Sequence, residues 1–146
     1  MDDLKFVAEK FNINHTKDYR TSIQLNQDGF SVFVADHNRN ILKILHRNFP
    51  GYKKMLDNFK EDNSLFEIAN LSFSKIEFLL NSNDFTLIPI ELYNEKDEIN
   101  YQKLNFPIGE YDLIKTDFIH SQGLACVYNI NPGQQKIISY FKNSPE

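Results

Sequence analysis

The stretch from Arg20 to His46 constrains the fold most. It reads RTSIQLN, QDG, FSVFVADH, NRN and ILKILH in succession. Thr21, Ile23 and Leu25 alternate with Ser22, Gln24 and Asn26. Phe30, Val32 and Val34 alternate with Ser31, Phe33 and Ala35. Successive side chains of a strand point to opposite faces, so this period of two marks strands with one better-buried face. The β-branched and aromatic residues point the same way. Asp28-Gly29 is a tight-hairpin signal, because a two-residue turn needs positive φ. Asn38-Arg39-Asn40 marks a second turn, since Asn tolerates the left-handed region and bonds its own backbone. The pattern predicts three consecutive antiparallel strands over residues 20 to 46, a meander at the centre of a sheet.

Outside the meander the signals are shorter. Asp2 to Phe11 reads as a short helix, with Leu4, Val7 and Phe11 on one side. Asn12 to Tyr19 reads as a connector or a short edge strand. Phe49-Pro50-Gly51 is a break. Tyr52, Met55, Leu56 and Phe59 fall at helical spacing, and Leu65 to Leu71 adds a further helical turn or two. Ser72 to Asn81 and Phe85 to Ile88 read as strands around an Asn-Ser-Asn-Asp turn. Pro89 to Tyr93 opens a helix, since Pro is tolerated in a first turn. Asp97 to Phe106 is a further helix. Tyr111 to Ile119 and Leu124 to Asn129 form a strand pair across His120 to Gly123. Pro132 opens a last helix to about Lys142, packed on the meander. Ile23, Leu25, Val32, Val34, Ile44, Phe78, Leu87 and Val127 are the expected core. This order fits a mixed sheet with helices packed on it, an α+β or mixed α/β class.

The 146 residues carry thirteen Phe and no Trp, so the core is built from Phe and branched aliphatics. A net charge of −4 argues against nucleic acid, which favours a basic footprint, and against an anionic membrane surface. No apolar run approaches the roughly 20 residues of a membrane-spanning helix. The charged opening MDDLKFVAEKF lacks the apolar core of a signal peptide. Cys126 is the single cysteine and cannot form an internal disulfide, which suits a reducing cytoplasm.

Few residues stand out chemically. His15, His37, His46 and His120 are scattered without metal-ligand spacing, so no metal site is expected. His37 and His120 lie at turns, where a solvated His is ordinary. Cys126 in LACVYNI reads as a small buried hydrophobe, with no neighbour to lower its pKa. Glu91, Glu95, Asp97 and Glu98 read as a solvated acidic face rather than paired acids. There is no GxGxxG, Walker loop, HExxH or GxSxG. Gly29 reads first as a hairpin glycine.

Three segments carry a family resemblance. SIQLNQDGFSVFVAD, KIEFLLNSNDFTLIPIELYNEKDEINYQKLNF and ACVYNINPGQQKIISYF resemble bacterial domain-of-unknown-function family 3822. The family's pattern has a "SIQ…DGFSF" hairpin, a "FTLVP…LF" segment, a "YLKFNF" helix and a "VFxIP" strand-to-helix junction. The resemblance spans roughly Tyr19 to Phe141. It implies an actin-like ATPase fold, in which each of two lobes is a ribonuclease H-like mixed sheet. Family members run nearly twice this length, so the resemblance implies a first lobe alone. That makes 1–146 one ribonuclease H-like domain, with 1–18 an N-terminal extension and 19–143 the core.

Active members of that superfamily place an Asp at the end of the first strand and Gly-Thr or Gly-Ser in the next hairpin. The carboxylate positions metal and water, and the hairpin backbone approaches the phosphates. By that resemblance Gln24 stands at the acidic position, and Asn26-Gln27-Asp28-Gly29-Phe30 replaces the phosphate-facing turn. Gln24, Asp28, Gly29 and Asp36 are therefore the candidate nucleotide-facing residues. Gln is neutral and cannot balance a divalent cation. The expectation is a degenerate, non-catalytic lobe without a cofactor, acting through a protein partner or self-association. The alternative is a nucleotide-binding domain completed by a second lobe or chain.

Overall fold

In the computed structural model, residues 3–26, 29–49, 57 and 63–141 are described. Eight strands are present among them: β1 (Leu4–Val7), β2 (Arg20–Asn26), β3 (Gly29–Ala35), β4 (Ile41–Asn48), β5 (Lys75–Leu80), β6 (Phe85–Pro89), β7 (Leu113–Ile119) and β8 (Leu124–Ile130). The α-helices are α1 (Asn63–Ala69), α2 (Glu98–Lys103) and α3 (Pro132–Tyr140). The chain divides into two compact units, residues 1–81 with 136–146, and residues 82–135.

The first unit is a five-stranded mixed sheet in the order β1-β4-β3-β2-β5. The meander is as the alternation requires. β2 pairs antiparallel with β3, setting Ile23 opposite Val32 and Leu25 opposite Phe30. β3 pairs antiparallel with β4, with a register shift at Val34/Ala35. β5 then lies parallel to β2, aligning Ile23 with Phe78. A parallel neighbour needs a crossover, and α1 lies within it.

One face of this sheet makes the core. Ile23, Leu25, Phe30, Val32, Val34 and Leu45 are fully buried there. Leu65, Ile68 and Ala69 of α1, with Ile137 of α3 and Phe141 beyond it, complete the same cluster. Phe78 and Phe141 meet edge to face at 5.8 Å. Lys43 also projects on this side. Its Nζ lies 5.1 Å from the centre of the Phe11 ring, and burial holds its pKa below the usual lysine value.

The second unit is a three-stranded antiparallel sheet, β6-β8-β7. Ala125 and Val127 of the central strand are fully buried. Gln102 of α2 is buried with them and fully engaged. Its Nε2 donates to the Asp84 carbonyl at 2.7 Å and to Asn129 Oδ1 at 3.3 Å. Its Oε1 accepts from the Thr86 hydroxyl at 3.1 Å. The start of α3 is fixed by a reciprocal cap. Asn131 Oδ1 accepts from the Gln134 N–H, and Gln134 Oε1 accepts from the Asn131 N–H. Pro132 takes the first helical position, where its missing N–H costs nothing.

Several expectations are corrected. Residues 4–7 are a strand rather than a helix, paired antiparallel with β4 at the sheet edge. Four residues with a ready partner edge favour pairing over an isolated short helix. Residues 13–18 form a 3-10 helix capped by Asn12, whose side chain accepts from the Asn14 N–H. Residues 90–92 make only a 3-10 turn. The expected helix over Tyr52 to Phe59 lies outside the described residues, Asp57 apart. In the core, Leu45 is buried while Ile44 and Phe78 are only partly covered. Leu87 is 48% exposed, with Ile88 buried in its place, because Leu87 pairs with Cys126 on the uncovered side of the small sheet.

Candidate functional site

Parallel strands in open α/β sheets gather ligands at their carboxyl ends. Here those ends are Asn26 of β2 and Leu80 of β5. Three amides converge there. Gln24 Nε2 donates to Asn26 Oδ1 at 3.2 Å, and Asn81 Nδ2 donates to the same oxygen at 3.1 Å. The Asn81 N–H also extends the ladder to the Leu25 carbonyl at 2.9 Å. The Asn26 side chain is thus committed to tying the two parallel strands together.

Gly29 opens β3 at the same end, opposite Asn26. It lies in the strand rather than in the left-handed region, so the hairpin that joins β2 and β3 does not draw a positive φ from it. Its value is space: a Cβ there would lie 2.2 Å from the Arg47 carbonyl oxygen. Asp28 lies outside the described residues. The left-handed residue of the next turn is Arg39, at φ 66, between the two asparagines.

Asp36 closes the opposite end of the sheet. Along a seven-residue strand that is about 20 Å from Gly29. Its Oδ1 accepts from the N–H groups of Asn38 and Asn40, and its Oδ2 from the Asn40 amide, all at 2.9 Å. The Asn40 side chain foremost, with these backbone donors, holds the carboxyl below the usual range. The fold therefore brings Gln24 and Gly29 together and places Asp36 elsewhere. Asp36, His37, Lys10, His15, Lys17 and Ser74 line an open cleft of about 600 Å³ at that far end. The Ser74 hydroxyl there donates to the Tyr19 carbonyl at 2.7 Å, and His15 faces Asp18 at 3.7 Å.

Two groupings are not legible in the sequence, one because it depends on strand register and the other because it depends on how α2 and the turn before it pack on β7. Ser31 faces His46 across β3 and β4, with Oγ and Nδ1 2.9 Å apart. His46 Nε2 continues to Asn48 Oδ1 at 3.1 Å. With Asn48 as acceptor, Nε2 carries the proton and Ser31 donates to Nδ1. Ser31 is only 8% exposed within a strand, so its oxygen has little room for attack on a substrate. In the second unit, Glu98 leaves the solvated acidic face. Its carboxylate accepts from the hydroxyls of Tyr93 and Thr116. Burial, then the Glu98 carboxylate, raises the Tyr93 phenol pKa. Tyr93 packs edge to face on Phe118, which stacks on His120.

Cys126 lies in β8 as expected but is half-buried, on the side away from Ala125 and Val127. Burial and the Asp117 carboxylate raise its thiol pKa. Phe85, Leu87 and Leu113 share that side and are 43%, 48% and 45% exposed. Among the described residues no three His, Cys, Asp or Glu side chains are grouped to hold a metal. Nor is any described helix long and apolar enough to cross a membrane.

The sheet built from a meander, a crossover and a parallel strand has a counterpart among solved structures. A solved protein from Bacteroides thetaiotaomicron, described as having an actin-like ATPase fold and unknown function, superposes with a TM-score of 0.74 at 19% identity. The match covers 88% of this chain and 51% of that one, so this chain spans about half the neighbour's length. The chain belongs to the family described as a protein of unknown function, DUF3822, whose model matches residues 8–144. No curated protein matches it.

Proposed function

We propose that this chain is a non-catalytic lobe of the actin-like fold that acts through protein contact, as an interaction or scaffold domain. Its setting in this reading is a bacterial cytoplasm, which suits the lone, half-buried Cys126. The carrying observation is the amide set Gln24, Asn26 and Asn81 at the carboxyl ends of β2 and β5. Phosphoryl transfer rests on positioning and on stabilising charge across the phosphate oxygens. Magnesium is usually held through one or two carboxylates with the substrate phosphates. A neutral amide at position 24 balances no cation, and Asn26 Oδ1 is already shared by two donors. Titration calorimetry with ATP and magnesium should give no binding heat in the micromolar range. Saturable binding that disappears in Asp28→Ala would overturn the reading.

A second reading is favoured by the chain spanning about half of its structural neighbour. In it a second lobe or chain completes a nucleotide site, with Gln24, Asp28 and Gly29 facing the phosphates. It requires binding that appears only when that second component is added.

A further inference from the structure

β7 is an edge strand, paired with β8 alone within its sheet. From residue 113 to 119 it reads Leu-Ile-Lys-Thr-Asp-Phe-Ile. The strand is chemically self-complementary about Thr116: Leu113 matches Ile119, Ile114 matches Phe118, and Lys115 matches Asp117. Leu113 is 45% and Phe118 46% exposed, and Lys115 and Asp117 are exposed as well.

A two-fold axis through one residue of an antiparallel pair sets its flanking residues opposite one another in the other copy. With the axis at Thr116, Lys115 of each copy faces Asp117 of the other. The alternatives are worse. An axis at Lys115 sets two ammonium groups face to face, and an axis at Asp117 sets two carboxylates so. Like charges directly opposite are destabilising across strands. An axis between residues sets a charge against an apolar or hydroxyl side chain. The charges on this edge therefore deter most self-pairings, as edge charges generally do, while favouring a single register.

The β5 edge of the larger sheet differs. On β5, Lys75 and Glu77 already pair with each other at 2.5 Å. Among the described residues Lys115 has no ion-pair partner, and the Asp117 carboxylate is near enough to Tyr128 to help raise its phenol pKa, after burial. Lys115 is thus available to a carboxylate from outside.

We propose that β7 pairs with β7 of a second copy of this chain, two-fold about Thr116, joining two three-stranded sheets into one of six strands. This names a partner for the protein-contact reading but does not rest on the nucleotide question. Loss of the dimer without any ATP binding would leave the reading of the first unit in place. One strand per copy is a small interface, so the dimer is weak and concentration-dependent.

Sedimentation equilibrium on the full chain tests it. The wild type should dimerise reversibly at high concentration. Lys115→Asp and Asp117→Lys should each weaken that dimer by about tenfold or more, since each turns two attractive pairs repulsive. An equimolar mixture of the two variants should regain it, because each strand then complements the other. The Lys115→Asp/Asp117→Lys double variant should regain it too. Circular dichroism melts establish that each variant is folded. A wild type that stays monomeric throughout, a dimer indifferent to both single variants, or variants that fail to recover on mixing would each overturn the proposal.

Discussion

A β-carbon on Gly29 would lie 2.2 Å from the carbonyl oxygen of Arg47 on the neighbouring strand. Backbone is the obstacle, so no flexible side chain can swing aside. Gly29→Ala should therefore cost about 1–3 kcal/mol, the usual range for overpacking. Chemical denaturation of the ligand-free chain reads this directly. An unchanged midpoint would mean the strands part easily there, and would return Gly29 to a purely ligand-facing role.

The two sheets give a paired test of which face is buried. Ile23 is 1% exposed on β2 of the first sheet, and Leu87 is 48% exposed on the second. Ile23→Ala should cost about 2–5 kcal/mol through lost transfer energy and a residual cavity. Leu87→Ala should stay within about 0.5 kcal/mol, as surface changes do. Equal effects on the melting temperature would contradict the assigned faces.

The meander was legible because its signal is local and repeated. Thr21 to Leu25 and Phe30 to Val34 each carry several alternations, and Asn38 to Asn40 supply turn chemistry. Leu4 to Val7 was not legible, since four residues fit a helix or a strand, and only the β4 edge decides between them. Leu87 and Ile88 form an apolar pair whose inner member depends on register with β8. The amide set is the same kind of case. A resemblance points to Gln24, but Asn81 joins it only because β5 returns parallel to β2, 55 residues beyond Asn26. Ser31 and His46 meet by register alone.

Gln102 carries a polar load that a helix of six residues rarely buries. It is fully buried and bonded to Asp84, Asn129 and Thr86. Gln102→Met keeps much of the volume but removes the donor to the Asp84 carbonyl and to Asn129 Oδ1, at a cost of about 1–3 kcal/mol. The loss should appear as a lower denaturation midpoint. No loss would indicate that solvent readily takes over these bonds.

Cys126 supplies a pH test with a definite sign. Burial first, then the Asp117 carboxylate, disfavours the thiolate and raises the thiol pKa above its ordinary value. The thiolate is the reactive form, so alkylation at neutral pH should be slower than for a free cysteine. The rate should keep rising with pH beyond the point where a free thiol has levelled off. The sign for stability follows from the same shift. Between the unfolded and folded pKa values the unfolded chain has lost its proton while the folded chain retains it. Stability therefore falls with rising pH in that alkaline window. Asp117→Asn removes the carboxylate and leaves the burial, so it should move the alkylation profile partway back. A profile matching free cysteine in the wild type would show that the thiol is neither buried nor coupled to Asp117 in solution.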